Sequence, residues 1–277
     1  MTTIALMGAG GKVGLRIAKN LKGHPDYKPL CVEISPAGQA ALADLGLAIT
    51  PQDEAISQAE AVILAVPDAL MSKIAADIVP KLQSGAIVIG LDPAAPYAGI
   101  MPQRPDITYF VCHPCHPPLF NDETEPAARR DWFGGEMAKQ SLVCALHSGA
   151  EAHYPVGEAI ARTIFAPVGR VHRVTTEQMA ILEPALVETL AATCITIIRE
   201  GMDEVIRMGV PEQAARDFLL GHLRIEIAVV FDEAGFPFSD GAIYAINQAK
   251  KELFQPDWKK IFALENVQKS VREITHA

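Results

Sequence analysis

The sequence has no run of 18 or more apolar residues, and no basic segment leading into an apolar one opens the chain. The first absence argues against a membrane-crossing helix and the second against an export signal, so a cytoplasmic protein with no membrane partner is expected. No block rich in Lys or Arg occurs, and 24 basic residues face 33 acidic ones for a net charge of −9. That balance argues against nucleic acid as a partner. Cysteine is scarce and odd in number, five in 277 residues, which fits reduced thiols better than a disulfide framework. There is no fixed-period repeat and no low-complexity tract.

What is present is apolar: 49% of the residues are hydrophobic, enough for one large core or two modest ones. The chain opens with the short apolar run Ile4-Ala5-Leu6-Met7, which enters a glycine cluster, Gly8-Ala9-Gly10-Gly11-Lys12-Val13-Gly14. A helical pattern follows, with Val13, Ile17, Ala18 and Leu21 on one face. Strand, tight turn and helix start is the arrangement that holds a dinucleotide pyrophosphate: glycine lets the backbone approach the phosphates, and the helix N-terminus offers free N–H groups. Two spacings fit, Gly8 and Gly10 as the start of G-x-G-x-x-G, or Gly8, Gly11 and Gly14 as G-x-x-G-x-x-G. A second strand, Leu30-Cys31-Val32, ends in Glu33, about 20 residues on, where a ribose-binding carboxylate belongs. Glu33 in that role accepts from the ribose hydroxyls and repels a 2′-phosphate, favouring NAD over NADP. A solvated acid at a strand end is the alternative.

Further strands are expected at residues 47–50, at 61–68, at 86–92 and at 108–112. Alternating with helical segments, they indicate an α/β fold, a Rossmann-type doubly wound parallel sheet closing near residue 120. Residues 141–146 and the region 162–174 are candidates to extend it. Val66, Pro67 and Asp68 end the clearest strand and so stand on the ligand-binding rim, where the cofactor passes. From Thr175 the pattern turns helical. Thr175 and Gln178 have capping-box spacing, and apolar residues from Met179 to Ile206 recur at three and four, with Val187 and Ile195 widening the stripe. A helix so apolar needs burial by a second helical layer or a second subunit. Further helices are read from Pro211, Ser239 and Pro256. The expected division is an NAD-binding domain over 1–174 and an all-helical substrate and dimerisation domain over 175–277.

Three groups carry candidate chemistry. Cys112-His113-Pro114-Cys115-His116-Pro117-Pro118 follows the strand at 108–112. It reads as a redox Cys-x-x-Cys pair, as part of a zinc site, as a rigid Pro-rich loop, or as a loop that presents His113 and His116 to a substrate cleft for acid–base work or metal ligation. Glu183 precedes Pro184 in the apolar helix, where a carboxylate is costly unless paired or ligated. It is read as a metal ligand beside His113 or as an acid in an exposed first turn; Glu188, on another face, is the weaker candidate. Lys250, with Asn247 three residues before it, presents one face to a hydroxy acid. Asp240 and Arg224 are further polar candidates, and each of the four reads first as a solvated or interhelical charge.

Together the glycine turn, Glu33, the end of the 61–68 strand, the His-Pro loop and the helical second half resemble two-domain dehydrogenases. The chain is similar to the β-hydroxyacid and prephenate dehydrogenase group, whose members carry a His-Pro pair after the sixth strand. It more closely resembles the small NAD-binding proteins with a phosphogluconate-dehydrogenase-like C-terminal domain. That resemblance implies NAD-dependent oxidation of a branched sugar acid, followed by migration of a carbon group and assisted by a divalent metal. The expected site is then His113, His116 and Lys250 as catalytic residues and His113 and Glu183 as metal ligands. Gly8, Ala9, Gly10, Gly11, Lys12, Val13, Glu33, Val66, Pro67 and Asp68 are expected at the cofactor, in a homodimer. A hydroxyacid dehydrogenase without rearrangement and a non-catalytic NAD sensor are the alternatives. The glycine pattern departs from the usual dehydrogenase spacing at Val13 and Gly14, and no distinct Lys/Asn catalytic motif is present.

Overall fold

A computed structural model describes residues 1–275, without the side chain of Asp68. The expected cofactor contact of Asp68 therefore lies outside the described side chains. The chain divides into two compact units, one formed by Met1–Glu183 with the stretch from Gln268 onward, the other by Pro184–Val267.

The first unit is built on a seven-stranded sheet of order β2-β1-β3-β4-β5-β6-β7. Its strands are β1 Thr2–Met7, β2 Tyr27–Val32, β3 Ala61–Leu64, β4 Ile87–Gly90, β5 Thr108–Pro114, β6 Gln140–Ser148 and β7 Val168–Arg173. All neighbours run parallel except β5 and β6. The connecting helices are α1 Lys12–Leu21, α2 Pro36–Asp44, α3 Gln52–Gln58, α4 Asp68–Ile78, α5 Ala94–Tyr97 and α6 Tyr154–Ile164. Alternation along β1 sends Ile4 and Leu6 into one core with Ile17, Leu21, Ile160 and Phe110. Ala5 and Met7 enter another core with Met71, Ile78 and Val88. A parallel sheet with both faces covered in this way needs strands that are apolar on both sides, as β3 is.

Two expectations about the sheet are corrected. Residues 47–50 form no strand, because only a single bridge joins Ile49 to Cys31. The sheet also does not close near residue 120: β6 and β7 extend it, with the long irregular segment 115–139 bulging out between β5 and β6. The Cys112–Pro118 stretch therefore begins in the fifth strand, which runs on through His113 to Pro114, and only from Cys115 is it a loop.

The order in which strands are added reverses at β1, with β2 on one side and β3 on the other, and the C-terminal ends at that switch are where an open α/β sheet binds ligands. The glycine turn sits there, and the structure decides its spacing. Gly8 has φ +74°, and a Cβ on it would lie 2.3 Å from the Ala65 carbonyl oxygen. A Cβ on Gly14 would lie 2.1 Å from the Gly8 oxygen, while one on Gly11 would meet only that same oxygen, at 3.3 Å. Neither expected spacing is the structural one: Gly8, Gly10 and Gly14 are the sterically required glycines, and Gly10 faces the backbone of Gly38.

Beyond β7 the chain is helical. A capping box on Thr175 and Gln178 starts α7 Thr176–Ala180. The helix continues as a π-helix over Ile181–Ala192 and then as α8 Thr193–Arg207. Pro184 lacks the N–H that an α-helical ladder needs, and the wider π turns carry the chain past it without a break. Gly209, at φ +103°, ends α8, and α9 Glu212–Val230, α10 Asp240–Leu253 and α11 Leu264–Thr275 follow. Ser239 caps α10 as expected, whereas Trp258–Phe262 is a separate 3-10 turn before α11. The helix over Thr176–Arg207 is long and apolar enough to cross a membrane, and only 11% of its most apolar stretch is buried in the chain. Most of the burial expected for it is thus not supplied within one chain.

Candidate active site

The first unit holds a cavity of about 490 Å³ at the C-terminal edge of the sheet. Gly11, Lys12 and Val13 line it from the glycine turn, and Val66 and Pro67 line it from the end of β3. Asp92 enters after β4, His113 from the end of β5, His116 just beyond it, and Glu183 from the π-helix. Elements distant in sequence thus bring a cofactor-type turn and a set of ionisable side chains to one rim.

At its centre His113 Nε2 meets Glu183 Oε2 at 2.7 Å, both side chains largely withdrawn from solvent. The other ring nitrogen, Nδ1, donates to the Leu91 carbonyl at 2.8 Å. That bond fixes the tautomer, so Nε2 is the atom offered to a proton or a cation. Burial alone would hold the imidazole down, yet the hydrogen bond and charge of Glu183 push it above its ordinary value. Asp92 completes a trio with them: one ligating atom from each of Asp92, His113 and Glu183 lies within 4.8 Å of the others. One Asp92 oxygen also accepts from the Ala94 N–H at 2.7 Å, which orients the carboxylate. Two carboxylates and an oriented imidazole suit a divalent cation of the zinc, manganese or magnesium type.

His116 lies on the same rim in a left-handed conformation, φ +59°. Its Nδ1 donates to the Phe133 carbonyl at 2.8 Å. Since a carbonyl only accepts, Nδ1 carries the hydrogen and Nε2 is left basic. The redox reading of the loop does not survive: Cys112 faces the core, Cys115 is exposed, and all five cysteines are free. Burial also holds the Cys112 thiol well above its ordinary value. Neither thiol joins the metal-type cluster, so the zinc reading through them fails as well.

Glu33 tethers the turn to the start of α2. Its Oε2 accepts from Gly10 N–H at 2.8 Å, and its Oε1 accepts from Ile34 and Ser35 N–H at 2.9 and 2.8 Å. Burial would raise this carboxyl, but the bonds from Ser35, Gly10 and Ile34 bring it below the ordinary range. Ala9 is buried beneath the turn, and Lys12 begins α1. Lys250, Asn247, Asp240 and Arg224 are exposed on α9 and α10 of the second unit or at its loops, and none lines the cavity. Glu188 is likewise not among the lining residues. Sequence reasoning missed Asp92 and Phe133. Asp92 carried a usable signal, an acid immediately after a buried strand on the ligand rim; Phe133, in an irregular segment, carried none.

The phosphogluconate dehydrogenase (decarboxylating) C-terminal family matches residues 121–275. D-apionate oxidoisomerase of Cupriavidus necator is 52% identical, over 98% of this chain and 99% of its own. D-apionate oxidoisomerase of Rhizobium rhizogenes is 53% identical, over 99% of this chain and 100% of its own. Among solved structures, a semialdehyde dehydrogenase NAD-binding protein from Cupriavidus necator, in complex with calcium and NAD, superposes with a TM-score of 0.96. It is 51% identical, covering 99% of each chain. At this identity over the whole length, the chain belongs to the D-apionate oxidoisomerase family, with a C-terminal region of the phosphogluconate dehydrogenase type.

Proposed function

We propose that the protein is an NAD-dependent oxidoreductase that converts D-apionate to 3-oxo-isoapionate, oxidising an alcohol and then shifting a carbon group, with a divalent metal held by Asp92, His113 and Glu183. The observation that carries this reading is the convergence of that trio and the Gly8–Gly10–Gly14 turn on one cavity. The names of the relatives supply the substrate class.

NAD takes the hydride from the alcohol carbon, with its pyrophosphate at the N–H groups of the turn and the start of α1. Gly8, Ala9, Gly10, Gly11, Lys12 and Val13 form that cradle, Val66 and Pro67 wall it, and Glu33 accepts from the adenosine ribose. A bound divalent metal would polarise the new carbonyl and hold neighbouring oxygens in register for the shift. Asp92, His113 and Glu183 are its ligands, the cation replacing the proton that His113 and Glu183 share at 2.7 Å. His116, with Nε2 free, takes the hydroxyl proton as the hydride leaves and passes it to solvent; it then takes the proton of the neighbouring hydroxyl as that oxygen becomes the second carbonyl. The shift itself is an isomerisation: one carbon–carbon bond breaks, one forms, and the proton returns to the first carbonyl oxygen. The second unit, with its exposed apolar helices, is proposed to bind substrate and to pair with a second copy of the chain.

The test is NADH formation from D-apionate by protein stripped of metal and then reloaded. Turnover that vanishes on chelation and returns with a divalent cation is expected, and Glu183→Gln is expected to abolish the return. Turnover untouched by exhaustive chelation contradicts the metal assignment. Absence of NADH in every metal condition contradicts the oxidation.

A further inference from the structure

The segment 131–138, outside any strand or helix, is organised around one buried carboxylate. Asp131 is only 9% exposed, and its Oδ1 accepts from Gly134 N–H at 3.0 Å. Its Oδ2 accepts from the N–H groups of Glu136, Met137 and Ala138 at 3.2, 2.9 and 3.1 Å. The chain wraps the carboxylate through Gly134, whose φ of +78° suits glycine and whose absent Cβ would lie 2.6 Å from the Gln140 side chain. Burial would raise the Asp131 carboxyl, but these four N–H groups hold it below the ordinary range. A charge so committed over-determines the loop that follows it.

That loop faces the cavity through a single residue. Phe133 lines the wall, its ring 4.8 Å from that of His116, with the Arg16 guanidinium at 4.7 Å and the Lys12 ammonium at 5.4 Å from its centroid. Two cations from one face of α1 and one imidazole thus grip the ring, while the Phe133 carbonyl accepts from His116 Nδ1. His116 needs such a partner. It follows Pro114 and precedes Pro117, and its left-handed φ is unfavourable for a residue with a Cβ unless its surroundings fix it.

We propose that Asp131 is a positioning residue for the reaction: by holding the Phe133 loop it fixes the tautomer and aim of His116, so that Nε2 faces the substrate. This inference rests on His116 being the proton acceptor proposed above. Asp131 and Phe133 form a backbone-mediated relay, in which a buried charge sets the position of a carbonyl and the carbonyl sets which imidazole nitrogen is basic. No proton passes through Asp131. Its role is orientation, and misplacing a base by about 1 Å costs up to roughly a hundredfold in rate.

The experiment uses the full chain labelled with 15N-histidine, with Asp131→Asn and Phe133→Leu as variants. In the wild type, the His116 resonances, assigned by comparison with His116→Gln, are expected to show a protonated Nδ1 and a pyridine-like Nε2. Asp131→Asn keeps the shape but sets an NH2 group against backbone N–H donors. It is expected to give a mixed tautomer and at least a tenfold lower kcat, with KM for NAD within about threefold. Phe133→Leu keeps the carbonyl but removes the ring grip, and it is expected to fall between the two. If Asp131→Asn fails to fold, Asp131→Glu, which keeps the charge but moves the carboxylate out of register with its four N–H donors, carries the same readout. An unchanged His116 tautomer in the Asp131 variant that folds overturns the inference, whatever happens to the rate. The tautomer readout needs no turnover, so failure of the wild type to oxidise D-apionate would refute the proposed function separately.

Discussion

At the scale of single residues, the site depends on carboxylates whose partners are fixed by the backbone. Glu33 illustrates how a binding residue and a structural one coincide, since the same carboxylate that is proposed to meet the ribose also holds Gly10 N–H. Glu33→Ala is therefore expected to weaken NAD binding by roughly tenfold or more, the worth of charge-assisted hydrogen bonds. NADP, freed from repulsion, should lose clearly less, and calorimetric titration of both dinucleotides checks the difference. Equal losses would leave Glu33 with the turn alone. Asp131 makes a prediction of opposite character, about stability and pH. Its folded carboxyl is depressed, so the stability it contributes is present above the unfolded value near 3.9 and is lost as pH falls through that range to the lower folded value. The melting temperatures of wild type and Asp131→Asn should consequently converge as the pH falls from about 6 to about 3. A gap that stays constant over that interval would mean that the charge contributes nothing.

At the scale of elements, the turn between β1 and α1 is a packing problem before it is a binding site. A Cβ at Gly14 would sit 2.1 Å from the Gly8 oxygen, a backbone atom that cannot swing away. Gly14→Ala is expected to cost about 1–3 kcal/mol, as overpacking does, and to abolish NAD binding. Gly11→Ala, which meets nothing closer than 3.3 Å, should be tolerated much better. Thermal unfolding of the two variants side by side checks this. The same turn shows what was legible in the sequence and what was not. The strand-turn-helix order could be read from Ile4 to Leu21 because apolar periodicity is local. The choice among glycine spacings could not, since it depends on Ala65 and Gly38, which only the fold brings close. For the same reason Ile49, β-like in composition, found too short a partner in Cys31 to make a strand. His113 and Glu183 were legible as a pair because an acid beside a proline in an apolar helix demands a partner. The irregular segment 115–139 has no periodicity, so the Asp131 nest and Phe133 were invisible before the chain was folded.

At the scale of the whole molecule, the second unit exposes more apolar surface than a solitary chain readily tolerates. Val187, Ile195, Ile197, Val205, Phe218 and Phe231 are all exposed. A groove of about 650 Å³ runs between α8 and α9, lined by residues that include Met202, Val205 and Phe218. Exposed patches of this kind mark association surfaces. Interspersed charges such as Arg216, Asp217, Arg224 and Glu226 along α9 suit a protein partner better than lipid. Light scattering at micromolar concentration is expected to give twice the chain mass of 29.8 kDa. A monodisperse single chain would contradict the proposed homodimer.

A dinucleotide-type turn and a metal-type trio meet on one rim, and the proposed reaction uses both, oxidation coupled to a carbon shift. Its most direct test is 13C NMR of the product formed from carbon-labelled D-apionate with NAD and a divalent cation. NADH is expected in equal amount with a product whose labelled carbons have exchanged a neighbour, as in 3-oxo-isoapionate. A stoichiometric yield of NADH with every carbon–carbon bond of the substrate retained would contradict that reaction, and would leave a hydroxyacid dehydrogenase that does not rearrange.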